Sequence, residues 1–257
     1  MRKVIVATLL VLLPASASLA QDASPIETIQ SDGLDTMTGI WKIAFPEMVL
    51  NDSYRWSQAN ETFCRITHDG GDEASIICLA GGAGRNGTVT LEEKNLHLAW
   101  GTMMARIVVD AKLAGTKAFS GVYALKLTGI RHDAAMPAIG QRLIVSETAP
   151  DAAGQAKLVS MTLAQLAGGT PLPQNDVLVR QYLGVQPNTP TEIQALGKLA
   201  AVIYLGEGSQ RQWPGKRGDP APPPILFSVY QVEFANGQRL CAVHLGGDGA
   251  LNGFLCI

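Results

Sequence analysis

The chain is short of nearly every residue type that carries chemistry. Among 257 residues there are four His and four Cys, aromatics make up 6% and charged residues 16%. Lys and Arg number 20 against 22 Asp and Glu, a formal net charge of −2. That mild, mixed balance offers no basic stripe for nucleic acid and no polybasic patch for an anionic membrane. No Ser sits in a G-x-S-x-G elbow, which removes support for an α/β-hydrolase nucleophile. The P-loop pattern is missing, and Gly81-Gly82-Ala83-Gly84 precedes a β-rich stretch rather than a helix, so no phosphate cradle is expected. Paired C-x-x-C spacing, the usual mark of a zinc site, is also missing. The apolar run from Val4 to Pro14 is about 11 residues, short of the ~20 needed to span a bilayer, and no later stretch reaches that length without charge, Gly or Pro.

What is present points to export. Arg2 and Lys3 precede the Val4–Pro14 run, and Ser18-Leu19-Ala20 supplies small residues before Gln21. Residues 1–20 therefore read as a signal peptide, with an N-terminal membrane anchor as the alternative. The expected cut is not followed by Cys, so no lipid anchor is expected. The location implied is periplasmic or extracellular. Cys64, Cys78, Cys241 and Cys256 all lie beyond the cut. An even count in an exported chain argues for disulfides, and four cysteines allow three pairings. Cys64–Cys78 and Cys241–Cys256 are favoured because each pair flanks an expected hairpin. Each would close about 15 residues, worth roughly 3 kcal/mol in the chain-entropy account.

The fold class follows from periodicity. Gly39-Ile40-Trp41-Lys42-Ile43-Ala44-Phe45 alternates and predicts a first strand, and Met48–Asn60 reads as a connection. From Thr62 to Leu166 short alternating runs are separated by turn residues, among them Asp69-Gly70-Gly71-Asp72, Lys94-Asn95 and Gly115. Arg142–Thr148 and Lys157–Leu166 read as a last hairpin. About nine strands at 8–12-residue spacing predict a mainly β fold, an antiparallel meander closing into a barrel or sandwich. Beyond it Asn175–Leu183 reads as a short helix. Thr189-Pro190-Thr191-Glu192 is a capping box with Pro at the first helical position, predicting a helix through Ile203 ended by Gly206. Glu207–Pro224 reads as a loop ending in Pro220-Ala221-Pro222-Pro223-Pro224, and Asn236-Gly237 marks a tight hairpin after the strand Ile225–Phe234. The expected organisation is a signal peptide at 1–20 and a β-meander or barrel domain at 21–168. A helical insertion (about 175–205) and Pro-rich linker fill 169–224, and a disulfide-pinned hairpin at 225–257 packs back on the main sheet.

Candidate functional residues are few. His68 and His244 stand at the turn ends of the two Cys hairpins beside Asp69, Asp72 and Asp248, where a metal or acid–base site would need them to converge. Ordinary surface turns are the alternative. His97 points to solvent or into a barrel lumen, and His132-Asp133 reads as a solvated loop. No metal or cofactor is expected. Asn51, Asn60 and Asn86 each open an N-x-[ST] sequon. The aromatics Trp41, Phe45, Trp56, Trp100, Phe119 and Tyr123 line a ligand pocket or form plain core.

Gly39-Ile40-Trp41 at the head of the first strand, followed by an antiparallel meander over about residues 39–166, resembles the G-x-W start of lipocalin-like (calycin) β-barrels. That likeness implies a non-catalytic protein holding a small apolar ligand, with Trp41, Trp56, Trp100, Phe119 and Tyr123 as its contacts. Trp41, Cys64, Cys78, Trp100 and the strand Phe119–Leu127 are also similar to bacterial periplasmic barrel-type metalloprotease inhibitors over about residues 39–130. That second likeness implies a protease partner engaged by the N-terminal segment, here Gln21–Glu27. An enzyme with a site near His68 and His244 is the third reading.

Overall fold

The computed structural model describes residues 33–51, 54–56, 59–79, 87–101, 105–127, 135–145, 151, 154–170, 178, 189–212, 219–220 and 222–257, with backbone alone at 48–51, 54–56, 105 and 127. A 3-10 helix, Gly33–Met37, leads into β1 (Gly39–Phe45), β2 (Met48–Asn51), β3 (Tyr54–Trp56), β4 (Asn60–Thr67), β5 (Ala74–Cys78), β6 (Gly87–Glu92), β7 (Asn95–Gly101), β8 (Ala105–Ala114), β9 (Ala118–Leu127) and β10 (Met136–Leu143). There follow α1 (Ala156–Ala167), α2 (Pro190–Ala195), β11 (Leu199–Gln210), β12 (Ile225–Phe234), β13 (Gly237–Leu245) and β14 (Leu251–Cys256).

The mainly β, antiparallel fold expected from the alternation is what the chain adopts. β1 pairs with β4 on one side and β10 on the other, so β1 and β4–β10 close an eight-stranded meander barrel. Closure leaves the barrel strands without the unpaired edge that open sheets must protect. The interior side chains come from the inward parity of each strand. β1 supplies Trp41, Ile43 and Phe45, and β7 supplies Leu96, Leu98 and Trp100.

The other four strands, β11–β14, extend from β4 through the pair Ser209–Glu61. This second sheet is covered on both faces. Phe227, Val229, Leu240, Ala242 and Leu255 pack against Ile40 and Phe63 on the outer wall of the barrel. Tyr230, Val232, Val243 and Phe254 pack against Val159, Leu163 and Leu166 of α1 and Ile193 of α2. Burial on both faces shows along β12, where every residue but Leu226 and Glu233 is buried.

Both disulfides form with the expected pairing. Cys64 stands directly opposite Cys78, and Cys241 opposite Cys256, each at a Cα separation of 4.1 Å. That close approach is typical of the non-hydrogen-bonded pairs of an antiparallel ladder.

Several element boundaries differ from the sequence reading. Lys157–Leu166 is helical, as part of α1, not a strand. Val159, Thr162, Leu163 and Leu166 are its buried residues, a spacing of i, i+3, i+4 and i+7 that marks one face of a helix. The strand placed at Arg142–Thr148 lies earlier, as β10. The capping box of α2 is present, with Glu192 N–H donating to Thr189 Oγ1 (3.3 Å) and Thr189 N–H to Glu192 Oε2 (3.1 Å). The helix stops at Ala195 rather than near Ile203, because Gly197 takes a positive φ of 77° and the next residues enter β11. Val202, Ile203 and Tyr204 are of the β-branched and aromatic types that favour strands. β11 thus occupies part of the segment expected to be helix and linker. The Met48–Asn60 connection contains the small β2–β3 hairpin. The tight turn after β12 is Ala235-Asn236, one residue before the expected pair, with Phe234 facing Gly237. The helix expected at Asn175–Leu183 lies outside the described residues, apart from Leu178, as do residues 1–32.

Candidate functional site

The barrel has two unlike ends. At one, adjacent strands are joined by residues 68–73, Glu93-Lys94 and residues 115–117, and the 3-10 helix closes the opening. Leu34 and Met37 of that helix belong to the barrel core. Trp41 is fully buried and its Nε1–H donates to the Met37 carbonyl at 2.7 Å. Arg142, from the last barrel strand, donates through Nη1 to Thr36 O (3.2 Å) and through Nη2 to Thr38 O (2.6 Å). Gly39 lies against this guanidinium at a φ of 133°, and an added Cβ would sit 3.3 Å from Arg142 Nε. The Gly39-Ile40-Trp41 tripeptide therefore has a mechanical role. Gly39 makes room for the arginine, Ile40 faces the second sheet, and Trp41 fills the closed end and holds the helix.

The same end is tied from outside by His68. Its Nδ1 meets Asp35 Oδ1 at 2.7 Å and its Nε2 meets the Gly71 carbonyl at 3.1 Å. Both neighbours are acceptors, so both ring nitrogens are required as donors. The hydrogen bond to Asp35 accordingly raises the pKa of the imidazole above its ordinary value, and the Gly71 carbonyl adds to the effect.

At the opposite end, here termed the mouth, the strands are linked by residues 46–59, 79–86, 102–104 and 128–135, of which only 46–51, 54–56, 59, 79 and 135 are among the described residues. Three aromatics meet beneath this mouth. The Phe45 ring lies 4.5 Å from Tyr123 and 6.1 Å from Trp100. Tyr123 Oη donates to the Glu47 carbonyl at 2.6 Å. Arg211, just past β11, reaches in from the second sheet. It donates to the Phe45 carbonyl and, at 3.4 Å, to Tyr123 Oη, while its backbone N–H donates to Asn60 Oδ1 at 3.0 Å. Burial lowers the pKa of Arg211 and raises that of Tyr123. Trp100 differs from all of these. The residue is 1% exposed and its Nε1–H has no acceptor among the described residues.

The aromatics singled out from the sequence are thus divided. Trp41, Phe45, Trp100, Phe119 and Tyr123 all belong to the barrel core, and Trp41 and Phe119 pack together toward its closed end with ring centroids 5.5 Å apart. Trp100 and Tyr123 meet Phe45 under the mouth. The side chain of Trp56 lies outside the described residues. Arg142 and Arg211 were not singled out. The signal for Arg142 was available, since it continues the inward parity of Met136, Ala138 and Gly140 along β10, where a charge is out of place.

The histidines do not converge. His244 Nδ1 meets the Leu226 carbonyl at 2.6 Å within the second sheet, whereas His68 is held by Asp35 and Gly71. His97 points outward, its Nδ1 2.6 Å from Asp110 Oδ1, in a groove of about 600 Å³ on the outer wall. His132-Asp133 lies outside the described residues. Among the described residues no group of three His, Cys, Asp or Glu is placed to hold a metal ion. Asn60 is buried in β4 and engaged by Arg211, so its sequon is closed to modification in the folded chain. Asn86 and the side chain of Asn51 lie outside the described residues.

The two disulfides indicate a non-cytoplasmic, oxidising environment. No helix among the described residues is long and apolar enough to cross a membrane. No family model, no curated protein and no solved structure matches this chain.

Proposed function

We propose that this is an exported, non-catalytic binding protein, and that the mouth half of its barrel takes a small, mainly apolar molecule carrying one hydrogen-bond acceptor. The observation that carries the reading is the Trp100 indole N–H, buried without an acceptor among the described residues, beside Phe45 and Tyr123. A buried donor left unsatisfied costs about 1–3 kcal/mol, and a ligand acceptor would recover it. The three aromatic rings supply the apolar wall. The closed end, filled by Trp41 and Phe119, takes no part. The lipocalin-like resemblance points to the same class of ligand. On this reading residues 1–20 are removed on export to the periplasm or the extracellular space.

Native mass spectrometry on protein taken from its own compartment tests the proposal, with tryptophan fluorescence as the second readout. A retained small molecule is expected. Trp100→Phe keeps the ring and removes the donor, and should weaken that ligand roughly tenfold, the equivalent of one hydrogen bond. A ligand-free protein whose fluorescence ignores apolar probes would sink the reading. A co-purifying protease in place of a small molecule would replace it with the inhibitor reading.

A further inference from the structure

A second unsatisfied donor lies on the outer wall of the barrel, away from the mouth aromatics. Cys64 and Ile66 of β4 belong to the barrel core, so Arg65 between them projects outward, flanked in the ladder by Ile40 of β1 and Ile77 of β5. Its Nη1 donates to the Gln238 carbonyl at 2.8 Å. Arg239 Nη1 donates to the same carbonyl at 2.9 Å. Two guanidinium groups thus converge on one neutral oxygen. Neither has a carboxylate within ion-pair distance among the described residues, where the ion pairs are Lys42–Glu61, His68–Asp35 and His97–Asp110. Arg65 Nη2 is buried and has no acceptor among the described residues. The pKa of Arg65 is lowered to about 10, first by burial and then by the charge of Arg239.

Like charges held side by side, half-buried and underserved by acceptors, are costly unless something compensates them. One carbonyl oxygen cannot serve two planar forks. An oxyanion can, because its two or three oxygens match the bidentate geometry of guanidinium groups and its charge offsets theirs. We propose that Arg65 and Arg239 form a binding site for a single oxyanion, a phosphate or carboxylate group, where the β12–β13 turn meets β4. Nη2 of Arg65 is closed to solvent, so binding requires a side-chain shift. Arg239, at the third residue of β13 next to the hairpin loop, is the member of the pair free to make it.

The test uses the whole chain. Inorganic phosphate, and acetate in a parallel arm, are titrated by calorimetry at ionic strength held constant with sodium chloride. A saturable response is expected, and the arm that saturates at lower concentration identifies the oxyanion. Arg239→Gln should weaken binding about tenfold or more, the loss of one charge-assisted contact. Arg65→Lys retains the charge but loses the fork and should also weaken it, while leaving the tryptophan response to apolar probes unchanged. No saturable response to either anion overturns the proposal, as does an equal response in wild type and Arg239→Gln. Failure here leaves the mouth site standing, because the two use different residues and different readouts.

Discussion

The two ends of the barrel are built from the same residue types and finished differently. At the closed end a tryptophan and an arginine have their polar atoms served by backbone carbonyls. Trp41 donates to Met37, and Arg142 to Thr36 and Thr38. At the mouth a tryptophan and an arginine again lie close to the core, but among the described residues the Trp100 indole has no acceptor. Structure concentrates where every donor is satisfied. A place for a ligand is sought where one is not.

The largest test of that contrast is to remove the stopper. Trp41→Ala deletes a fully buried indole and its hydrogen bond, and should destabilise the fold by about 3–5 kcal/mol. The finer form separates ring from donor. Trp41→Phe should cost about 1 kcal/mol beyond the lost ring area, the worth of one hydrogen bond, whereas Trp100→Phe forfeits no bond and should cost less. Chemical denaturation of both variants gives the comparison. Equal losses at the two sites would show that the indole of Trp100 is as well satisfied as that of Trp41, and the contrast would fall.

Next in size is the arginine. Arg142→Met keeps most of the apolar stem and removes two hydrogen bonds from a charged group, which should cost roughly 2–3 kcal/mol. The loss should appear first as accelerated hydrogen exchange at the Thr38 amide, which donates to Asp35 O within the 3-10 helix. A stability loss with no change at that amide would mean that Arg142 does not hold the helix in place.

How much of this was legible in the chain depends on whether the signal was local. The alternation of Gly39–Phe45 and Leu96–Trp100, the cysteine spacing, and the Thr189–Glu192 capping box each lie within one or two elements, and each is where the sequence placed it. The failures are apolar runs whose neighbours decide the outcome. Lys157–Leu166 alternates well enough for a strand and also repeats well enough for a helix, and the open face of the second sheet selected the helix. Leu199–Ile203 continued the period of α2, yet β12 was there to pair with it. The candidate site was less legible still. That Trp100 and Tyr123 are aromatic is plain in the sequence, but that one is served and the other is not is a tertiary fact. Arg211, in a stretch read as a loop, reaches a carbonyl and a hydroxyl contributed by strands far away in sequence.

The smallest expected effect concerns the outer tie at the closed end, where pH is the lever. His68 is raised above its ordinary value in the folded chain, so its contribution is fully present below the unfolded value near 6.5 and is lost as pH rises through the folded one. Thermal unfolding followed from pH 5 to pH 9 should show this as a modest fall in Tm across that window. Asp35→Asn removes the charge that favours the imidazolium, which should flatten the fall and narrow the gap to wild type as pH increases. The His68 imidazole resonance, followed by NMR, should titrate at a lower pH in the variant. If the two proteins gave superimposable pH profiles, the contact between His68 and Asp35 would be a surface coincidence, and the closed end would depend on Trp41 and Arg142 alone.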